Sequence, residues 1–337
     1  MSWWLLAVGC REPEPVVRPD PTVPAPAPVP VPVPDSADSG TGPTDSGTGP
    51  VPSICDALPE GPYDYVVSSQ IHTEEDFDFD RSGLLVLQSN QDLVGYGRDG
   101  SFSVIGTNVG LDVAGIRSLP TDDYVVAQQD TQALRRVNHA NGNTVTVLGG
   151  LDYPNGLDVG LDGKVYVSEY SGNGRVRMVD PYTGDATVIL RIEYPNGLAL
   201  SPDEQTLYVA LSQQLFSGSG RVVAIDRDPG TGEWVGTPRT VFEAGDLLDA
   251  ITVDTCGNVY VAGYRSGKVW RIRIPDQTSE VLVDLPAAGF EGYCAARFGA
   301  GFGDWNRTTL YVSNRSHLYG IELGVEGRHV LAEDADR

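Results

Sequence analysis

The 337-residue chain is poor in basic residues and in cysteine, and it has no long apolar run. Lys and Arg number 23 against 46 Asp and Glu, giving a formal net charge of −23. This balance excludes a nucleic-acid partner, because phosphate binding needs a basic surface. Four cysteines are too few for a disulfide-built fold in a chain of this length. No stretch reaches the roughly 20 apolar residues of a membrane-spanning helix.

The chain after about residue 55 also lacks a helical period, and it repeats instead. Residues 153–157 and 194–198 both read Tyr-Pro-Asn-Gly-Leu. Each copy begins an apolar alternation, a polar turn and a second apolar run, and similar units begin near residues 75, 113, 248 and 294. A spacing of about forty residues between units is typical of β-propellers.

Six such units predict an all-β fold, a six-bladed β-propeller with four-stranded blades. Most units show a third strand, as at 174–180, and some show a fourth, as at 186–192. The last unit lacks a clear outermost strand. We predict that the N-terminal segment 63–69 supplies it and closes the ring, which leaves few open strand edges.

The residue that begins each first strand is predicted to point into the central channel. It does so at one face of the ring, here called the mouth; the opposite face is the base. Counting back ten or eleven residues from the second strand sets the register in the first five units. The sixth unit has an insertion, so this count cannot be used there. We instead align its Arg-Phe-Gly-Ala-Gly run with the first strand, which places Cys294 at the start of that strand. The ring is then Glu75, Ala114, Asn155, Asn196, Asp249 and Cys294.

Four of these six residues carry a side-chain oxygen, and two are carboxylates. Burying carboxylates together is costly unless a cation or a partner neutralises them. Carboxylate and amide oxygens suit a hard cation, so we predict one divalent ion, Ca²⁺ first, with Zn²⁺, Mg²⁺ and Mn²⁺ left open. None of the four histidines falls in the ring, which argues against a typical His-ligated zinc site.

Two of the polar patterns also have a purely structural interpretation. Asn155 and Asn196 could serve turns, since Asn-Gly pairs favour turn geometry. Asp76, Asp78 and Asp80 alternate as in a calcium-binding loop, but the sixth position is Arg81 instead of Gly. Their alternation with phenylalanines instead predicts an ordinary strand with apolar residues on one face.

Four stretches resemble the gluconolactonase/regucalcin (senescence marker protein) family over residues 63–325. They are the run Glu-Asp-Phe-Asp-Phe-Asp at 75–80, the Asn-Gly-Leu of units three and four, and Leu-Asp-Ala-Ile-Thr-Val-Asp at 248–254. The resemblance implies hydrolysis of lactones or related esters by a metal that polarises the carbonyl and lowers the pKa of bound water. It also implies roles for four residues. Glu75, Asn196 and Asp249 would be metal ligands, Asp249 also the general base, and Asn155 a contact to substrate or water.

One position departs from the family pattern. Some sugar-lactone members carry Arg two residues before the Asn of blade three, where this chain has Tyr153. An anionic substrate therefore loses its clamp, and Tyr153 becomes a candidate substrate contact. Because Tyr-Pro-Asn-Gly-Leu also resembles propeller repeats that only bind, the alternative function is a non-catalytic cell-surface propeller. It would bind a protein or glycan and hold a structural metal. We expect a monomer.

The N-terminus resembles the end of a bacterial lipoprotein signal. Residues 1–10 form a short apolar run that ends in Gly-Cys, which makes Cys10 the candidate for acylation. No Lys or Arg precedes the run, and the run is shorter than the apolar region of a usual signal segment. A start codon assigned too late would explain both departures. We expect an exported protein of the cell envelope, on its periplasmic or surface face, which touches the membrane only through an N-terminal lipid anchor.

A low-complexity spacer follows that segment. It begins with a Pro/Val alternation, and residues 38–43 and 45–50 are the same six residues. Such composition predicts stiff polyproline II and then an unfolded chain. We therefore predict a disordered linker over residues 11–54 and the propeller over residues 55–337.

The propeller topology also predicts how the cysteines pair. Cys256 falls in the turn after a first strand, at the base, and Cys55 precedes the closing strand, which starts at the same face. Cys294 begins a first strand at the mouth. We predict a Cys55–Cys256 disulfide and an unpaired Cys294, which an exported setting permits.

Overall fold

The computed structural model describes residues 53–68, 71–213, 218–287 and 292–328. The predicted signal segment and residues 11–52 of the predicted linker lie outside the described residues. A short 3₁₀ turn, Ile54–Asp56, begins the described chain. Among the described residues, no helix has the length and apolar composition needed to span a bilayer.

The strands form six antiparallel four-stranded sheets, and the predicted six-bladed propeller is confirmed. In chain order they are β1 (Val66–Ser68), β2 (Phe77–Phe79), β3 (Leu85–Ser89), β4 (Asp92–Tyr96), β5 (Phe102–Gly106), β6 (Val113–Ser118), β7 (Tyr124–Gln128), β8 (Ala133–Val137), β9 (Thr144–Gly149), β10 (Pro154–Val159), β11 (Val165–Glu169), β12 (Arg175–Val179), β13 (Ala186–Arg191), β14 (Pro195–Leu200), β15 (Thr206–Gln213), β16 (Ser219–Arg227), β17 (Trp234–Ala244), β18 (Leu248–Val253), β19 (Val259–Gly263), β20 (Lys268–Arg273), β21 (Thr278–Asp284), β22 (Ala295–Phe298), β23 (Thr309–Ser313) and β24 (Leu318–Glu322).

Blades 1 to 5 each use four consecutive strands, starting at β2, β6, β10, β14 and β18. Blade 6 has the order β22-β23-β24-β1, so its outermost strand comes from the N-terminal end of the domain. Strand β1 pairs antiparallel with β24, and Val67 lies opposite Tyr319. The predicted closure of the ring by the segment around residues 63–69 is therefore confirmed.

The core lies between neighbouring blades. Side chains of a strand point alternately to its two sheet faces, and every residue of the second strands β7, β11 and β19 is buried. The outer strand β9, by contrast, keeps all its residues partly or fully exposed. Between blades 4 and 5, Tyr208 and Ala210 share one apolar cluster with Ile251 and Val261. Each fully buried aliphatic side chain contributes roughly 1.5–3 kcal/mol, so the inner strands are firmly held.

One disulfide ties the N-terminal end of the domain to blade 5. Cys55 is joined to Cys256 across 201 residues of sequence, with 5.5 Å between the two Cα atoms. This is the predicted pair. A loop of that length stabilises the fold by about 5 kcal/mol in the chain-entropy account. Cys294 is buried and not disulfide-bonded, as predicted.

Candidate functional site

Four of the six first strands begin with a β-bulge that contains the predicted ring residue. The pairing register of the first and second strands shifts at this point in blades 2, 3, 4 and 5. A bulge leaves an extra residue unpaired and re-aims its side chain. The ring residues inside these bulges are Ala114, Asn155, Asn196 and Asp249, and all four are buried. Ala114, Asn155, Asp249 and Cys294 line one small cavity at the mouth of the channel.

The Asn-Gly pairs lie in strands and not in turns, so the turn interpretation is wrong. A Cβ atom at Gly156 would lie 2.4 Å from the carbonyl oxygen of Asn196, and one at Gly197 would lie 2.2 Å from that of Asp249. Glycine is needed there because the backbone of the next first strand approaches so closely. The glycine of each repeated Asn-Gly pair is therefore required by the tight packing of the first strands around the channel.

Glu75, Asp249 and Cys294 converge at the mouth. One carboxylate oxygen of each acid and the sulfur of Cys294 all lie within 4.8 Å of one another. Glu75 lies in a bend just before β2, after Glu74, whose backbone is left-handed with φ of 53°. Burial raises the pKa of Glu75 and raises the pKa of Asp249 well above its ordinary value, and the Glu75 charge adds to the second shift.

Asn196 supplies a further oxygen to this place. Its side-chain amide donates a hydrogen bond to Asp249, and its Oδ1 is buried with no donor among the described residues. An unmet buried acceptor costs roughly 1–3 kcal/mol. A cation beside the two carboxylates would satisfy this oxygen, so the residues present fit a divalent ion.

Arg315 was missed by the sequence analysis. It lies in the loop between β23 and β24 with φ of 68°, and its guanidinium forms an ion pair with Oε2 of Glu75. It also lies within hydrogen-bonding reach of the Cys294 thiol. Only the beginnings of first strands were counted in the sequence. Loops joining second to third strands open on the same face, and that rule would have drawn attention to Arg315.

Three tyrosines form an aromatic wall beside the acidic site. The ring centroid of Tyr170 lies 6.3 Å from that of Tyr153 and 5.6 Å from that of Tyr194. Tyr153 is 45% exposed, and both Tyr153 and Tyr194 have left-handed backbones, with φ of 58° and 51°. Burial raises the pKa of Tyr170 to about 12, and the nearby Asp249 charge contributes. The wall therefore offers solvent a neutral aromatic surface.

The alternating aspartates of blade 1 link strands and do not form a calcium loop. Asp76 accepts the Ile116 backbone N–H at 3.0 Å and pairs with Arg117 at 2.6 Å. Asp78 accepts the Ser118 N–H at 2.7 Å. The phenylalanines between and after them are buried in the core. The prediction of an ordinary strand is confirmed.

A second cavity, of about 60 Å³, lies at the base between the ends of the first strands. Its acidic side chains have donors: Asp158 accepts the Leu200 N–H at 2.7 Å and pairs with Arg328 at 3.3 Å. Arg117 and Arg297 line both cavities and so divide the channel.

Comparison with known proteins agrees with this geometry. Residues 167–315 match the family described as SMP-30/Gluconolactonase/LRE-like region, which confirms the resemblance predicted from the sequence. No curated protein matches the chain significantly.

Several solved structures share the fold. A gluconolactonase of Xanthomonas campestris is 21% identical, with a TM-score of 0.63 over 76% of this chain and 87% of that one. The calcium-binding protein regucalcin of Agrobacterium tumefaciens is 18% identical, with a TM-score of 0.60 over 79% and 95%. Virginiamycin B lyase of Staphylococcus aureus is 13% identical, with a TM-score of 0.54 over 77% and 100%. At these identities the likeness shows the fold.

Proposed function

We propose that the protein is an exported, divalent-metal-dependent hydrolase of lactones or related esters, acting at the mouth of the channel. The observation that carries the proposal is the convergence of the Glu75 and Asp249 carboxylates, beside which Asn196 donates to Asp249 and keeps a buried Oδ1 with no donor among the described residues. The family match over residues 167–315 supports the reaction class.

Glu75, Asn196 and Asp249 would hold the divalent cation through three side-chain oxygens. The ion would polarise the ester carbonyl and lower the pKa of water, as in other metal-assisted hydrolases. Asp249 would accept the proton of the attacking water. The amide of Asn155, one blade away, would donate to the substrate.

The mouth favours a neutral substrate. Tyr153 presents an aromatic ring where an anionic substrate would need a cation, and the guanidinium of Arg315 is already paired with Glu75. The chain carries a formal net charge of −23, which repels anions at long range. We therefore propose an uncharged lactone or ester that packs one face against the ring of Tyr153.

We also propose that the protein acts as a monomer outside the cytoplasm, lipid-anchored through Cys10. The Cys55–Cys256 disulfide supports an oxidising compartment. Replacing Cys10 with Ser should abolish fatty-acid labelling and release the protein from the membrane fraction. Labelling that persists in this variant would contradict the anchor.

The test combines metal binding with catalysis. The full chain, stripped with EDTA, is unfolded thermally with Ca²⁺, Zn²⁺, Mg²⁺ or Mn²⁺ and assayed on a panel of neutral lactones and esters. A specific ion should raise Tm by mass action, and Asp249→Ala should remove the shift and at least about 100-fold of kcat/KM. A Tm shift without hydrolysis of any substrate would favour the non-catalytic binding propeller. No shift with any ion would overturn the ligand assignment.

A further inference from the structure

We propose that Cys294 is a fourth ligand of the channel cation and that its sulfur makes the site prefer a thiophilic ion such as Zn²⁺ over Ca²⁺. This inference rests on the metal site of the proposed function and specifies its ion.

The position of Cys294 is the first argument. It immediately precedes β22, its backbone N–H donates to the Ser313 carbonyl at 3.2 Å, and its side chain is buried. Its sulfur lies within 4.8 Å of the carboxylates of Glu75 and Asp249. A buried structural cysteine ordinarily packs against apolar groups, whereas this thiol faces two carboxylates and a guanidinium.

The number and type of donors is the second argument. In addition to the thiol and the two carboxylates, Asn196, which donates to Asp249, has a buried Oδ1 with no donor among the described residues. Together these residues offer three oxygens and one sulfur, the four ligands of a tetrahedral Zn²⁺ site. Ca²⁺ takes six to eight oxygens and gains little from a thiolate. Soft sulfur ligands select Zn²⁺ and similar ions over Ca²⁺.

The charge of the site is the third argument. The two carboxylates and a Cys294 thiolate carry three negative charges, and a divalent ion with the Arg315 guanidinium carries three positive ones. Arg315 forms an ion pair with Oε2 of Glu75, so its positive charge lies beside the site and acts as a counter-charge to the thiolate.

The first measurement uses Cd²⁺, which reports thiolate ligation through a sulfur-to-metal charge-transfer absorption. The metal-stripped full chain is titrated with Cd²⁺ in the absence of oxygen. Wild type and the control Cys10→Ser, which removes the other thiol outside the disulfide, should develop this absorption to one equivalent. The double variant Cys10→Ser/Cys294→Ser should lack it. The same absorption in this double variant would overturn the proposal.

The second measurement compares ion preference by thermal unfolding in Zn²⁺ and in Ca²⁺. In wild type the Kd for Zn²⁺ should be at least about tenfold lower than that for Ca²⁺, and Cys294→Ser should weaken Zn²⁺ binding at least about tenfold. The variant Cys294→Asp keeps the charge and replaces sulfur with oxygen, so its preference should move towards Ca²⁺.

The outcomes separate this proposal from the proposed function. If both ions stabilise wild type and Cys294→Ser equally, and Asp249→Ala loses both effects, the metal site stands and the thiolate ligand is refuted. If no ion stabilises wild type, the metal site itself fails and the thiolate ligand with it.

Discussion

Two aspartates at opposite ends of one strand, β18, have opposite surroundings. Asp249 lies in the bulge at the mouth, where the nearby carboxylate of Glu75 repels its charge. Asp254 follows the last residue of the strand at the base and accepts hydrogen bonds of 2.8–2.9 Å from the backbone N–H groups of Cys256 and Asn258, the amide of Asn258 and the hydroxyl of Tyr260.

Both aspartates are buried, and burial raises the pKa of each. The supply of donors is what differs: among the described residues Asp254 accepts four hydrogen bonds, whereas Asp249 accepts one from the Asn196 amide and is otherwise favoured only by the charge of Arg315. Because native proteins pair buried polar groups, unmet acceptors mark places kept for another purpose. Burial of a carboxylate alone therefore does not identify a site, whereas a shortage of donors does.

The largest expected effect comes from removing the partner of a buried carboxylate that is well paired. Arg117, which lines both cavities, is the partner of Asp76. Arg117→Met leaves Asp76 buried without its partner, which lies at 2.6 Å. We expect a loss of about 3–5 kcal/mol in the free energy of unfolding, measured by chemical denaturation. The control Arg239→Met breaks an exposed pair with Asp226 and should cost under about 1 kcal/mol. Equal losses of unfolding free energy in the two variants would show that the buried Arg117–Asp76 pair contributes no more to stability than the exposed pair.

The two aspartates of blade 5 should respond in opposite ways to truncation. Asp254→Ala orphans the donors around it and should destabilise the protein by about 3 kcal/mol, with the metal-dependent rise in Tm intact. Asp249→Ala should leave the metal-free protein no less stable, because burial and Glu75 both oppose its charge, yet abolish the rise. Thermal unfolding with and without the ion measures both. A destabilised metal-free Asp249→Ala would contradict the contrast.

Asp78, at the base, should make stability depend on pH. Burial raises its pKa from 3.8 to about 7, against the opposing effect of Arg117. A raised acid pKa favours the folded state while the carboxyl is protonated, so its contribution is full below pH 4 and lost as pH rises through 7. Asp78→Asn should reduce the fall in the free energy of unfolding between low and high pH by roughly 2 kcal/mol. This is about half of the value that the whole pKa shift would give, because the Asp78 side chain is partly exposed. Denaturation curves at pH 4 and pH 8 test this, and an unchanged decline would exclude Asp78 as its source.

The smallest expected effect concerns the aromatic wall at the mouth. Tyr153→Asn removes the exposed ring while keeping a residue that tolerates the left-handed backbone. We expect KM for a neutral lactone to rise about 3–10-fold with kcat nearly unchanged, since only uniform binding is lost. Tyr182→Asn is the control, because Tyr182 is 51% exposed in the turn between β12 and β13, at the base. A fall in kcat alone would contradict a binding role.

Much of the site was predictable because it depends on a repeat. Counting along each unit placed Asn155, Asn196 and Asp249 at corresponding positions. In the structure each lies in the bulge at the start of its own blade's first strand. The same topology gave the closing strand and the Cys55–Cys256 pair. Each of these follows from the alternation of strands and turns, which local sequence encodes.

The sequence by itself determined the propeller, its closure and which residues begin the inner strands, because periodic apolar alternation specifies strand order and facing. Only the tertiary structure decided that Asn-Gly serves close strand packing and that Arg315 reaches Glu75 across 240 residues of sequence. It also decided that the side-chain oxygen of Asn196 has no donor within the part of the chain that the structure describes. These features depend on distances between blades, which no pattern within one blade encodes.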